Sequence, residues 1–269
     1  MRASLSQSVI AMVAISILGS TAALAAGQKP PKLVLQITVD QLRGDMPGLY
    51  LDKMGPGGFR YLLENGVVYE NAHHSHANTE TIVGHTTLAT GAIPADHGLI
   101  GNIWFDRESG EMTYNVEDPR YPLLTAGADV DKSSEIDPTQ KVARTDGRSP
   151  AVILVSTFGD ELAIRTNKQA KVFGVSVKDR GAISMAGHAG KAFWFSMAAG
   201  EFITSEYYYD QYPDWVTAFN ARKPAQRYAD QTWDLMLEPS SYVHAADDDQ
   251  SWEVALGGFG RVFPHAYGS

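Results

Sequence analysis

The sequence predicts an α/β fold with a mostly parallel central sheet flanked by helices. Residues 33–40, "LVLQITVD", are β-branched and almost continuously apolar, which is typical of a strand buried on both faces of a parallel sheet. Residues 170–177, "AKVFGVSV", have the same character and predict a second buried strand. Helical patterns lie between these runs, and strands that alternate with helices place ligands beyond the carboxyl ends of the strands. Asp40 and Lys178 each stand at such an end, so we expect them to border one crevice.

Capping signals set the expected limits of the helices. Gly66 and Gly91 follow apolar segments at positions where a C-terminal cap belongs. Ser149 and Pro150 are typical of an N-cap followed by the first residue of a helix. We therefore expect helices in residues 55–66, in Ile82–Thr90, and from Ser149 onward with an apolar stripe of Val152, Val155, Phe158 and Leu162.

The remaining segments have weaker patterns. Residues 67–72 predict a further strand, residues 191–196 and 201–205 a pair of strands, and residues 213–222 a short helix. Residues 118–150 are polar and punctuated by Pro and Gly, which predicts an excursion over the surface.

The first 25 residues have the features of a secretory signal peptide. Arg2 supplies a positive charge, Val9–Leu18 is a short apolar core, and residues 23–25, "ALA", fit the small-residue cleavage rule. We expect residues 26–269 to form the exported domain, periplasmic or secreted, without stable membrane insertion after cleavage. An uncleaved membrane anchor is the alternative, although the apolar core is short for a bilayer span.

Composition narrows the chemistry. The chain contains no Cys, which excludes disulfides, thiolate catalysis and Cys-ligated metals, so a metal must be held by Asp, Glu, His or a hydroxyl. The formal net charge of −9 argues against non-specific nucleic-acid binding. No sequence feature indicates the oligomeric state.

Asp40 and Thr81 are the first candidates for a catalytic role. An Asp that closes a buried strand is a common metal ligand and equally a common loop or N-cap carboxylate. Thr81 precedes the predicted helix "IVGHTTLATG", where Thr most often caps free amides. It becomes a nucleophile only if a metal stabilises its alkoxide and the helix N-terminus receives an anion.

Asn102, Lys178 and Arg180 are candidates for binding that anion. The Asn102 amide can donate a hydrogen bond to a phosphoryl oxygen, or it can simply adopt a turn after Gly101. Residues two apart in an extended segment point to the same side, so Lys178 and Arg180 can meet one small anion. The alternative is a solvated charged turn in which Asp179 pairs with either neighbour.

Three motifs together resemble the alkaline phosphatase superfamily. They are "ITVDQLRGD" at 37–45, "NTETIVGHTTLATGAIPADHGLIGNIWFD" at 78–106 and "VSVKDRGAI" at 175–183. The match is best with the branch of periplasmic, zinc-dependent alkaline phosphatases that use a threonine nucleophile, which is related to the nucleotide pyrophosphatase/phosphodiesterases. It covers nearly all of the chain after the signal peptide.

The resemblance implies a role for each candidate residue. Asp40 matches a metal-binding aspartate, and Thr81 matches the nucleophile, which also coordinates a metal. Asn102 matches an asparagine that contacts a phosphoryl oxygen, and Lys178 with Arg180 matches the Lys-x-Arg pair of phosphomonoesterases. The implied reaction is metal-dependent hydrolysis of small phosphate monoesters through a covalent phosphothreonine, with two Zn²⁺ as cofactors.

The chain also departs from the family pattern. The family completes its zinc sites with an Asp-x-x-x-His, an Asp-His and a further His, whereas here Asp-His occurs only at Asp96-His97, within the nucleophile region. We therefore expect this chain to be the N-terminal part of such an enzyme, with an incomplete sheet and the remaining metal ligands elsewhere. The alternatives are a phosphodiesterase or nucleotide pyrophosphatase of the same superfamily, and a truncated, non-catalytic anion-binding module.

Overall fold

The structure, a computed structural model, describes residues 31–255 and 259–267. The chain divides into two units, Met1–Val39 and Asp40–Ser269. The predicted signal peptide lies outside the described residues. Among the described residues, no helix has both the length and the apolar character that crossing a membrane requires.

The strand predicted at residues 33–40 is wrong. Residues 33–39 form no regular structure, and Leu33 and Ile37 are 79% and 69% exposed. The strand predicted at residues 67–72 is also absent, and Val67 is 81% exposed. A strand forms only where a neighbouring strand satisfies its backbone groups. In the described part of the chain neither segment is paired with another strand.

The second unit contains the helices and three small sheets. Its described helices are α1 (Met46–Leu49), α2 (Gly58–Asn65), α3 (Thr81–Thr90), α4 (Pro94–His97), α5 (Phe158–Arg165), α6 (Asp179–Ala186) and α7 (Asp214–Asn220). Its described strands are β1 (Ile103–Asp106), β2 (Glu111–Tyr114), β3 (Phe173–Ser176), β4 (Lys191–Ser196), β5 (Glu201–Ile203), β6 (Thr232–Trp233) and β7 (His265–Ala266). The helices predicted around residues 55–66, 82–90 and 213–222 are confirmed, as is the β4–β5 pair.

The sheet behind the candidate site has the order β3-β4-β5. Strand β3 runs parallel to β4, with Phe173 opposite Lys191, and β4 runs antiparallel to β5. The α/β class is therefore confirmed, and the sheet combines one parallel pair with one antiparallel pair. Burial of β3 on both faces is wrong, because Phe173 and Val175 are 47% and 63% exposed. Its other face carries Gly174, where an added Cβ would lie 2.1 Å from the Ala182 carbonyl of α6.

Helix α5 begins later than predicted. Its N-cap is Thr157, whose Oγ1 accepts a hydrogen bond from the Asp160 amide at 3.2 Å while Asp160 Oδ2 accepts one from the Thr157 amide at 2.9 Å. This reciprocal capping box fixes the helix start. The Ser149-Pro150 signal instead produces a turn, in which the Ile153 amide donates to the Pro150 carbonyl.

The hydrophobic core lies where α6 packs against β3 and β4 and where α3 packs against α6. Its fully or almost fully buried members include Ile82, Val83, Leu99, Ile183, Trp194 and Ile203. Residues 118–150 have no regular element except the short 3₁₀ helix Gln140–Val142, as their polar composition predicts. They are nevertheless more than a surface excursion, because Leu123, Ala128 and Arg148 are buried.

Candidate active site

Thr81 is the first residue of α3, and its side chain meets Asp40. The Thr81 Oγ1 donates a hydrogen bond to Asp40 Oδ2 over 3.3 Å. Asp40 is exposed and Thr81 half-buried, so solvent can reach the pair. The free amides at the start of a helix favour negative charge. The structure therefore combines a hydroxyl, a carboxylate and a helix N-terminus at one point.

His85 fixes the first turn of α3. Its Nδ1 lies 2.8 Å from the Thr81 carbonyl oxygen, which can only accept, so Nδ1 is the donor. The buried ring lies against α6, where a Cβ added to Gly181 would be 3.8 Å from His85 Cδ2. His85 has no role in the prediction from sequence. Its signal was the four-residue spacing from Thr81, which places both residues on one helix face.

Asn102 is held against the same end of α3. Its side-chain Oδ1 accepts a hydrogen bond from the Ile82 backbone amide at 3.1 Å, and its backbone N–H donates to Glu80 Oε2 at 2.5 Å. Asn115 Nδ2 donates to the Asn102 carbonyl at 2.5 Å. Among the described residues the Asn102 Nδ2 has no hydrogen-bond partner, so this side-chain amide NH₂ group is free to donate to a ligand.

Lys178 and Arg180 converge, but by a geometry other than the extended one predicted. Lys178 is the N-cap of α6 and Arg180 is the second residue of that helix. Both head groups donate to Asp137 Oδ2, from Lys178 Nζ at 2.7 Å and from Arg180 Nη2 at 2.9 Å. The two cations therefore meet at one oxygen, which belongs to the chain itself.

Asp179 does not pair through its side chain with the cation of either neighbour, so the solvated charged turn is wrong. Its side chain is 3% exposed and accepts hydrogen bonds from Arg148 Nε at 2.7 Å and from the Tyr114 hydroxyl at 2.6 Å. Burial and the Asp179 charge raise the pKa of Tyr114 well above its ordinary value, so the hydroxyl stays protonated and remains the donor. Arg148 and Tyr114 therefore hold the first residue of α6 in place.

Arg148 is expected to contribute strongly to the folding stability of the protein, because it pairs with two carboxylates in the interior. Its side chain is 2% exposed and also contacts Asp129 Oδ1 at 2.9 Å.

We expect Arg148→Met to lower the free energy of unfolding by about 3–5 kcal/mol, because two carboxylates lose their buried counter-ion. Urea unfolding measures the loss. Arg120→Met is the control, since Arg120 is 66% exposed in its pair with Asp118 and should cost less than about 1 kcal/mol. Equal losses in the two variants would contradict the anchoring role.

The donors for a metal are incomplete. Asp40 and Thr81 supply two oxygens of the hard type that divalent cations accept, but a zinc site needs about four ligands. In residues 31–255 and 259–267 there is no group of three or more His, Asp or Glu that could hold a metal ion. The pair fits part of a metal site.

The Asp96-His97 pair does not fill the gap. His97 is fully buried, its Nδ1 accepts from the Leu99 amide at 3.2 Å, and its Nε2 lies 3.1 Å from Thr87 Oγ1. Burial lowers its pKa and keeps the ring neutral. Both ring nitrogens are used, so His97 is a structural residue of the α3–α4 junction.

The two groups of site residues lie at the N-terminal ends of two helices that pack together. Thr81 and Asn102 mark the start of α3, Lys178 and Arg180 the start of α6, and His85 next to Gly181 joins the helices. No hydrogen bond joins the first group directly to the second in the described part of the chain. The arrangement offers a hydroxyl, an amide donor and two cations for an anionic ester.

Comparison with known proteins gives the class of protein to which this fold belongs. Residues 34–259 match the sequence profile of the family described as type I phosphodiesterase / nucleotide pyrophosphatase, and the chain belongs to that family.

Two of the curated relatives are named alkaline phosphatases. The chain is 37% identical over 230 residues to alkaline phosphatase PafA of Elizabethkingia meningoseptica, a match that covers 84% of this chain and 39% of that one. It is 36% identical over 239 residues to alkaline phosphatase PhoV of Synechococcus elongatus, covering 88% and 41%. The chain thus spans well under half the length of these relatives.

A solved structure supports the fold. The crystal structure of wild-type alkaline phosphatase PafA matches with a TM-score of 0.77 and 35% identity, covering 89% of this chain and 44% of that one. A second crystal structure, with the same TM-score of 0.77, is of a PafA variant in which one threonine is replaced by serine, and one asparagine, one lysine and one arginine by alanine.

Proposed function

We propose that the protein hydrolyses phosphate monoesters through a covalent intermediate on Thr81, in a metal-dependent reaction. The observation behind this proposal is the Thr81 hydroxyl at the start of α3. It is hydrogen-bonded to Asp40 and flanked by the free side-chain amide NH₂ group of Asn102. A hydroxyl becomes a nucleophile when a neighbouring group takes its proton, and an anion is favoured at a helix N-terminus.

The reaction has two displacements. The Thr81 oxygen bonds to phosphorus as the ester oxygen departs and takes up a proton, and water then cleaves the phosphothreonine to release phosphate. Asp40 is placed to hold or receive the Thr81 proton, and Asn102 Nδ2 to donate to a non-bridging oxygen. When bound, the two Zn²⁺ expected from the resemblance supply positive charge that favours ionised oxygens. Asp40 and Thr81 would provide two of the ligands that those ions need.

Monoesters are preferred over diesters because of Lys178 and Arg180. A monoester carries an additional anionic oxygen, which two cations can bind. The PafA variant offers support, because the residue types replaced in it occur here as Thr81, Asn102, Lys178 and Arg180. The separations of 21 residues between threonine and asparagine and of two between lysine and arginine are the same in both chains.

The first test compares the two ester classes. Purified protein supplied with Zn²⁺ should hydrolyse p-nitrophenyl phosphate with a higher kcat/KM than bis-p-nitrophenyl phosphate. A reversed preference would favour the phosphodiesterase activity that the family description includes. We place the reaction in the periplasm or outside the cell, on the strength of the predicted signal peptide.

A non-catalytic anion-binding module is the second candidate, and the incomplete metal donor set favours it. Elemental analysis separates the two, since near-stoichiometric zinc in the purified chain contradicts the module. Absence of bound zinc, together with phosphate binding and no turnover, contradicts the enzyme.

Asn102 allows its two roles to be separated. Asn102→Asp keeps an oxygen for the Ile82 amide but loses the amine donor, whereas Asn102→Ala loses both. We expect both variants to lose about 10²–10³-fold in kcat. Only Asn102→Ala should also lose about 1 kcal/mol of stability, as for a deleted helix cap. Full activity in Asn102→Asp would show that the amine group does not contact substrate.

A further inference from the structure

Asp137 already occupies the place proposed for a phosphoryl oxygen. Its Oδ2 accepts hydrogen bonds from both Lys178 Nζ and Arg180 Nη2, at 2.7 and 2.9 Å. Its Oδ1 accepts from the Thr139 amide at 2.9 Å and from the Thr139 hydroxyl at 2.7 Å. Each carboxylate oxygen therefore has two donors, and one of them takes up the cation pair.

The positive charge of the pair is compensated within the protein. Lys178 Nζ also lies 3.8 Å from Glu135 Oε1, on a side chain that is 3% exposed, so two carboxylates face two cations. Burial opposes the charge on Asp137, but hydrogen bonds from Lys178, Thr139 and Arg180 outweigh it and hold its pKa far below the ordinary value. Asp137 is thus ionised throughout the physiological range.

Arg180 retains a donor for another oxygen. Its side chain is 6% exposed, and its Nε–H is buried without a hydrogen-bond partner among the described residues. A buried, unpartnered charged donor is costly, and an oxyanion that reaches it removes this cost. Asp137 therefore satisfies the pair at one point, while one buried donor of Arg180 stays unsatisfied.

We propose that Asp137 is an internal anion that competes with phosphate for Lys178 and Arg180. It keeps the cation pair assembled while the site is empty, gives up at least part of its contact when a phosphoryl group binds, and weakens the hold on product phosphate. The inference rests on the proposed function of the cation pair and adds a regulator of affinity to it. A carboxylate that only positions the two cations would have the opposite effect on affinity.

The test is binding of inorganic phosphate, measured by isothermal titration calorimetry on the full chain. Asp137→Asn and Asp137→Ala should bind phosphate about tenfold more tightly or better, since a close negative charge is removed. Asp131→Asn is the matched control, because it makes the same charge change in the same segment. Asp131 is exposed, and among the described residues its side chain bonds only to Ser133 and Ser134. We expect its Kd to stay within about twofold of wild type.

The outcomes separate this inference from the proposed function. Weaker phosphate binding in both Asp137 variants overturns the competition and makes Asp137 a positioning residue. Unchanged binding in both also overturns the competition. The Lys178→Ala, Arg180→Ala double variant should lose binding, and unchanged affinity in it overturns the anion site itself. Absence of phosphate binding in wild type and in every variant rejects both proposals.

Discussion

Thr81→Ala is expected to abolish the phosphoenzyme and to lower hydrolysis of phosphate monoesters by about 10⁴-fold or more, the scale seen when a covalent nucleophile is removed. The physical reason is that the oxygen that bonds to phosphorus is gone, while the anion donors at Asn102 and α6 remain. Rapid quench of an active preparation with ³²P-labelled substrate measures the intermediate, and mass spectrometry of the labelled peptide locates it.

Two variants serve as controls for this result. Thr81→Ser keeps a hydroxyl at the same position and should keep a measurable phosphoenzyme. Thr79→Ala removes a hydroxyl two residues away, in the exposed segment before α3, and should change kcat by no more than a few-fold. Wild-type amounts of labelled phosphate on Thr81→Ala would show that the nucleophile lies elsewhere.

Replacing Lys178 and Arg180 is expected to produce the second largest effect. Each alanine variant should lose about 10²–10³-fold in kcat/KM for monoesters, because a donor to the charge on the transferred group is lost. Diesters should lose much less, since they present less negative charge to the pair. Steady-state kinetics with both ester classes measure the difference.

The comparison needs a control for charge and for folding. Lys171→Ala removes an exposed cation seven residues before Lys178 and should leave both ester classes unaffected. Removal of Lys178 or Arg180 leaves Asp137 with less compensation, so the variants are compared after circular dichroism shows that they are folded. An equal loss for monoesters and diesters would favour a phosphodiesterase or a broad esterase.

Features with local signals were predictable from the sequence. Helix α3 was predicted to within one residue, because its apolar pattern is followed by Gly91. This glycine adopts a φ of 70°, and its backbone N–H donates a hydrogen bond to the Thr87 carbonyl. The β4–β5 pair was predictable for the same reason, as two apolar runs are separated by a short turn. In both cases the residues that decide the structure are neighbours in sequence.

Features that depend on distant partners were not predictable. The spacing of Lys178 and Arg180 indicated that they converge, but the oxygen they meet belongs to Asp137, 41 and 43 residues earlier. The alternative, in which Asp179 pairs with a neighbouring cation, is wrong because its partner Arg148 comes from a polar segment 31 residues away. Polar composition indicates exposure for such a segment, and only the fold shows that its charges are buried in pairs.

The predicted first strand failed for a related reason. The apolar residues of 33–39 indicate that burial would be favourable, yet the pattern does not specify the strand that would pair with them. At α5, two capping signals competed. The reciprocal bonds of Thr157 and Asp160 determined the helix start, and Ser149 caps a turn.

The most direct test of the account is a crystal structure of an active preparation soaked with vanadate, which mimics the phosphoryl group in transfer. We predict vanadium bonded to Thr81 Oγ1, with one vanadate oxygen accepting from Asn102 Nδ2 and another from the Lys178–Arg180 pair. Vanadate bound at a distance from Thr81, with the hydroxyl still hydrogen-bonded only to Asp40, would contradict the assignment of the nucleophile.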